Sequence, residues 1–114
     1  MHELSVTESI LEISLRHAGQ ANAKRVTNLY LVIGQLASIV DDSVQFYWDI
    51  ISKDTIAQGA TLHFKRLPAK LICLDCSQQF NLGSDGFSCP NCMNDHVKIL
   101  SGDEFYMEAI DVET

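Results

Sequence analysis

The chain has 114 residues, enough for one compact domain or for a small domain carrying a minor insert. Apolar residues make up 46% and charged residues 20% of it, a globular balance that excludes an intrinsically disordered chain. Eight Lys and Arg against fifteen Asp and Glu leave a formal charge of −7, so counterion release from a phosphate backbone gains it nothing and nucleic acid is not an expected partner.

The opening residues, Met1-His2-Glu3-Leu4-Ser5, show neither a basic region nor a long apolar run, so no secretory signal is expected. Apolar stretches such as Leu29–Ile33 are too short to span a bilayer. The expected location is cytoplasmic, where thiols stay reduced.

Leu4 to Ala18 has helical periodicity. Leu4, Leu11, Leu15 and Ala18 fall on one side and Val6, Ile10 and Ile13 on a neighbouring sector, with only Thr7 and Ser14 between them. So wide an apolar arc suits a helix covered by both a sheet and another helix. Ser5-Val6-Thr7-Glu8 reads as a capping box, and Gly19 as the C-cap. Lys24 to Ile33 is β-branched and aromatic and is closed by Gly34, which predicts a strand. Asp42-Ser43-Val44-Gln45 is a second capping signature, opening a helix to about Lys53 that buries Val44, Tyr47, Trp48 and Ile51. Ala60 to Leu67 is a second strand, stopped by Pro68, and Glu104 to Val112 a third. The expected fold class is α+β: two helices packed on a three-stranded sheet, with an inserted zinc-ribbon-like four-cysteine domain. The expected domains are residues 1–68 plus 103–114, and 69–102.

Cys73-Leu74-Asp75-Cys76, twelve residues, then Cys89-Pro90-Asn91-Cys92 is a C-x2-C-x12-C-x2-C pattern. Two residues between cysteines allow a tight knuckle that aims both sulfurs at one ion, and the longer span brings the second knuckle opposite the first. Gly83 and Gly86 supply turns there, and Phe80 and Phe87 are expected to cover the site. Zn²⁺ is the expected ion, held by Cys73, Cys76, Cys89 and Cys92; an iron site of rubredoxin type shares the geometry, and spacing alone leaves it open. Disulfides require an oxidising compartment, and thioredoxin-like redox chemistry usually uses one C-x2-C pair opening a helix. A closed four-cysteine site has no open coordination position, which points to a structural ion and not to an enzyme.

The Met1 amine, the His2 amide and the His2 imidazole can chelate one metal through three nitrogens in a plane, a set suited to Ni²⁺ or Cu²⁺. By itself an N-terminal His also reads as a solvated tail. His17 and His63 read as ordinary surface residues.

Met1-His2-Glu3-Leu4-Ser5, Lys24-Arg25-Val26-Thr27 before a strand ending Ile33-Gly34, Gln58-Gly59 before the second strand, and the four-cysteine insert together resemble the HypA/HybF family over essentially the full length. These are nickel metallochaperones of [NiFe]-hydrogenase maturation, some of which also serve urease. The resemblance implies Ni²⁺ at the N-terminus, with His2 as the essential ligand, the Met1 amine beside it and Glu3 supporting through backbone or side chain. It further implies zinc at the four cysteines, and as partners the GTPase HypB and the hydrogenase large-subunit precursor. Asp41 lies where a carboxylate near the nickel site is expected, though capping of the helix by Asp41 or Asp42 explains it better. Met93 departs from the family, many of whose members carry His or Gly there, with His96 nearby. Monomer and homodimer both stay open. The alternative is an acidic zinc-ribbon protein-interaction module without a nickel function.

Overall fold

The computed structural model describes residues 3–83 and 86–114. In chain order the elements are α1 (Glu3–Gln20), β1 (Arg25–Gly34), α2 (Asp41–Ile51), β2 (Thr61–Leu67), β3 (Lys70–Cys73), β4 (Gln79–Asn81), β5 (Val97–Ser101) and β6 (Phe105–Glu113). They form two three-stranded sheets, ordered β2-β1-β6 and β4-β3-β5. The fold is the expected α+β class, with two helices, a three-stranded sheet and a four-cysteine segment inserted between the second and last strands of that sheet. No helix among the described residues is long and apolar enough to cross a membrane.

The chain divides into two compact units. One comprises residues up to Val32 with Ser38–Lys65 and Tyr106–Thr114; the other comprises Ile33–Ala37 with Arg66–Phe105.

In the first unit α1 and α2 pack on each other. Its core is Ile10 and Ala18 from α1, Val44 and Trp48 from α2, and Val26, Leu29 and Leu31 from the sheet. Strand β1 buries Val26, then Leu29, then Leu31, so its alternation slips by one residue at Thr27–Asn28. A slip of one residue exchanges the faces of a strand. Strand β6 alternates as far as Glu108 and resumes at Ile110.

Three helix ends differ from the sequence reading. Helix α1 already includes Glu3, so Ser5 sits inside it and does not cap it, and Leu4 faces solvent. The buried line of α1 runs through Glu3, Thr7, Ile10, Ser14 and Ala18, the middle of the predicted arc. Small hydroxyl residues fit there because each can return its hydrogen bond to its own helix: Thr7 donates to the Glu3 carbonyl, and Ser14 to that of Ile10 at 2.7 Å. At the other end the stop is Asn22, at φ 53°, and not Gly19. Ala23 N donates to the Ala18 carbonyl and Asn22 N to that of Gly19, a Schellman closure in which Asn tolerates the left-handed turn. Helix α2 starts at Asp41 with Val40 as N-cap and no capping side chain of its own, and it ends at Ile51, where Ser52 Oγ donates to the Trp48 carbonyl at 2.6 Å.

The second unit holds strands that were not anticipated. β3 pairs antiparallel with β4 (Leu71 opposite Phe80) and with β5 (Cys73 opposite Val97). Ile33, Ala69, Leu71, Cys73 and Cys89 are its buried apolar residues and thiols. A close crossing of backbones lies at one end of this sheet. A Cβ on Gly34 would lie 2.1 Å from the Gly102 carbonyl oxygen, and one on Gly102 would lie 2.4 Å from the Ala69 Cα. Leu36 N donates to the Gly102 carbonyl at 2.7 Å and Gly34 N to that of Glu104 at 2.8 Å. The Gln35 side chain accepts from Ala69 N at 2.8 Å.

Gly102 also has φ 112°, a region that side chains disfavour. Gly102→Ala should therefore cost about 3 kcal/mol or more, from overpacking and backbone strain together. Denaturant unfolding of the two proteins measures it, and a variant as stable as the parent would mean the crossing is looser than described.

Candidate metal centre

The four cysteines converge. Their Sγ atoms all lie within 4.8 Å of one another, with Cys73 and Cys92 3.5 Å apart and Cys76 and Cys89 3.6 Å apart. These are not disulfides, whose sulfurs sit at about 2.05 Å. Sulfurs bound at ~2.3 Å around a tetrahedral Zn²⁺ are separated by about 3.8 Å, so the donor set fits one thiophilic ion.

Two copies of one backbone device aim these sulfurs. Strand β3 runs into the first knuckle, where Cys73 N donates to the Gln78 carbonyl at 2.9 Å and Ser77 N to that of Cys73 at 2.8 Å. In the second knuckle Cys89 N donates to the Asn94 carbonyl and Met93 N to that of Cys89, each at 2.8 Å. The residue that follows each knuckle, Ser77 or Met93, has φ 65°. That repeated turn lets both sulfurs of a knuckle face the same point. The x12 span between knuckles closes through β4 and a bridge between Gly83 and Gly86. The expected aromatic cover is incomplete: Phe80 is half-buried, but Phe87 is exposed because it lies beyond the bridge, outside any strand.

Charge in the cage is uneven. The Asn91 side chain and the Gln78 amide, both hydrogen-bonding to the sulfur, hold the Cys76 thiol down at about 6. The Asn94 amide favours the Cys92 thiolate, but the neighbouring Cys73 sulfur and burial outweigh it and push that thiol up to about 12. Four sulfurs this close do not all ionise without a cation among them. Beside the cage His96 Nδ1 lies 3.3 Å from Asp75 Oδ1, both exposed.

Of the N-terminal residues singled out from the sequence, Met1 and His2 lie outside the described residues. Glu3 is buried at 5% exposure, and its carboxylate Oε2 accepts from Val40 N at 3.2 Å. It thus caps the start of α2 from another helix, doing what the Asp42 box was expected to do. A carboxylate so placed contributes about 0.3–1 kcal/mol through the helix dipole. Asp41 and Asp42 occupy the first turn of α2. His17 and His63 are exposed, and His63 stacks on Tyr30 with ring centroids 4.7 Å apart. Its Nε2 lies 2.9 Å from Asn28 Oδ1, while Asn28 and Tyr30 both donate to Asp111. That ladder across three strands carries no motif in the sequence; only strand pairing brings its members together.

The fold and the sulfur geometry define a small α+β protein built around a four-thiol metal-binding module. Residues 1–112 match the family model described as HypA, hydrogenase/urease nickel incorporation, metallochaperone. The chain belongs to this family. A hydrogenase maturation factor HypA from Dehalococcoides mccartyi is 42% identical over 113 residues, covering 99% of this chain and 95% of the relative. The hydrogenase maturation factor HybF of Escherichia coli K12 is 38% identical over 113 residues, covering 99% and 100%. The solution structure of the Ni metallochaperone HypA from Helicobacter pylori shares the fold, with a TM-score of 0.69 at 22% identity and coverage of 99% and 98%.

Two outcomes are expected at the cage. At neutral pH Cys76, held at about 6, is a thiolate, whereas Cys92, at about 12, keeps its proton and must give it up to bind. Zn²⁺ loading should therefore release protons and tighten as pH rises, and it should weaken more steeply below about pH 6, where Cys76 also protonates. Titrations in weakly buffered indicator solution read this directly; a flat profile with no proton release would rule the thiols out as ligands. Met93→Gly should stabilise the metal-loaded chain by ~1 kcal/mol, since glycine adopts the left-handed turn without strain. Unfolding midpoints compare the two, and a loss of stability would mean that the Met93 side chain contributes more than its backbone costs.

Proposed function

We propose that this chain binds Ni²⁺ through its first residues and delivers it during maturation of [NiFe]-hydrogenase, with a structural Zn²⁺ held by Cys73, Cys76, Cys89 and Cys92. The observation that carries this reading is the match of residues 1–112 to a family of nickel-incorporation metallochaperones. The ligands proposed for nickel are the Met1 amine and the His2 imidazole, completed by local backbone amides; Glu3 supports them. With its carboxylate committed to the Val40 amide, Glu3 anchors the first turn of α1 and leaves its backbone, not its side chain, as the better donor.

The division of labour follows from ligand chemistry. Amine and imidazole titrate near neutrality and release metal readily, which suits a transported ion. Four thiolates in a closed cage, two of them buried, suit one that stays. When bound, zinc supplies folding energy to the cysteine module; the chain performs no catalytic step. In the cytoplasm the proposed partners are the GTPase HypB and the hydrogenase large-subunit precursor.

Nickel should bind one-to-one to the untagged chain, as followed by isothermal titration. His2→Ala, or any residue placed ahead of Met1, should weaken binding at least tenfold, while His17→Ala and His63→Ala should not. Affinity should fall on acidification as the imidazole, near pKa ~6.5, and the amine, near ~7.7–8.0, take up protons. Undiminished nickel binding by both the extended chain and His2→Ala would remove the N-terminal assignment and favour the acidic interaction module.

A further inference from the structure

The outer face of α2 has a feature that neither the cysteine cage nor the N-terminal donors use. An α-helix needs one apolar stripe to pack, and α2 has one in the fully buried Val44 and Trp48. It carries a second on the opposite side. Phe46 and Ile50 are four residues apart, and so neighbours on the helix surface, yet they are 61% and 50% exposed. Phe46 meets Tyr47 edge-on, with ring centroids 5.3 Å apart, and is not folded back into the core. Asp42 and Asp49 are exposed on the same face, and Gln45 Nε2 holds the Asp49 carboxylate at 2.9 Å. The exposed cation nearest in sequence on that side is Lys53, beyond the end of the helix.

We propose that this face docks a partner protein presenting an apolar pocket rimmed by Lys and Arg side chains. An apolar centre with a charged rim is the usual anatomy of a protein interface, and charge selects the occupant. A chain of formal charge −7 is repelled by nucleic acid and by anionic lipid, and a second copy would bring the same charge. A single helix stripe also falls short of the roughly 800 Å² per partner of a standard stable interface, so the contact is a transient one. The proposal rests on the proposed function in one respect, the choice of HypB as the partner, and Val40 at the start of α2 is tied to Glu3 of α1, in the same unit.

Purified HypB is the probe, titrated calorimetrically into the full-length, zinc-loaded chain. Phe46→Ser combined with Ile50→Ser should weaken association at least tenfold. Asp49→Lys should weaken it more at low than at high salt, and neither change should alter Ni²⁺ binding or the circular dichroism spectrum. If both variants bind HypB like the parent, the docking surface is wrong while the nickel reading stands. If the parent fails to bind HypB, the partner reading and this inference fall together. If light scattering finds a dimer that Phe46→Ser dissociates, the face is occupied by a second copy and the proposal is overturned.

Discussion

Three stretches of backbone, around Gly34, Ala69 and Gly102, approach more closely than a single methyl group would allow. That contact constrains everything around it in the second unit. It fixes where the chain leaves β1, where it enters β3 and where it leaves β5, and the hydrogen bonds of Gln35, Leu36 and Ala69 lock those exits together. Because β3 leads directly into the first knuckle, the position of Cys73 is set by the same contact. The paired register, with Cys73 opposite Val97, carries that placement across the sheet to the strand that follows the second knuckle. The register of β3 on β5 shifts once, between Lys70 and Leu71, and runs unbroken from Leu71 to Cys73 at the first knuckle.

Much of this was legible in the sequence, and the parts that were not have identifiable causes. The helices and long strands announce themselves through periodicity, a local property. The cysteine spacing is local too, so the cage could be anticipated. Helix ends were less legible, because one cap comes from a distance. The Val40 amide is satisfied by Glu3, from a different helix, and no window around Asp42 contains that residue. Strands β3, β4 and β5 are only three to five residues long and carry charged or polar side chains on one side, too short a run for alternation to show. The left-handed turns at Ser77 and Met93 were hidden because glycine, their usual signal, is missing from both positions.

The cysteine cage and the donors proposed for nickel draw on opposite ends of metal-ligand chemistry. The cage gathers soft donors, two of them fully buried, a set that suits a resident ion. The proposed nickel donors are nitrogens from the first residues, which precede α1 in the chain. Placing a transported ion on nitrogen and a resident ion on sulfur would let one chain keep both without exchange, because each donor set discriminates against the other role. The buried Glu3 carboxylate connects the first helix to the second at that end, so substitution there would disturb packing as well as chemistry.

The strand order β2-β1-β6 also has a kinetic side. β1 is made early but gains its second neighbour only after the whole cysteine segment has emerged from the ribosome. Pairing β6 with β1 therefore requires a long loop to close, an entropic cost borne before any contact rewards it. Lys70 and Ser101 are partners in the cysteine sheet, so once that sheet forms, the end of β2 and the start of β6 are already held near each other. An ion entering the four-thiol cage would act as a clasp on the nascent chain. It would shorten the search for the last strand, and a shortage of that ion would appear as slow folding before it appeared as lost stability.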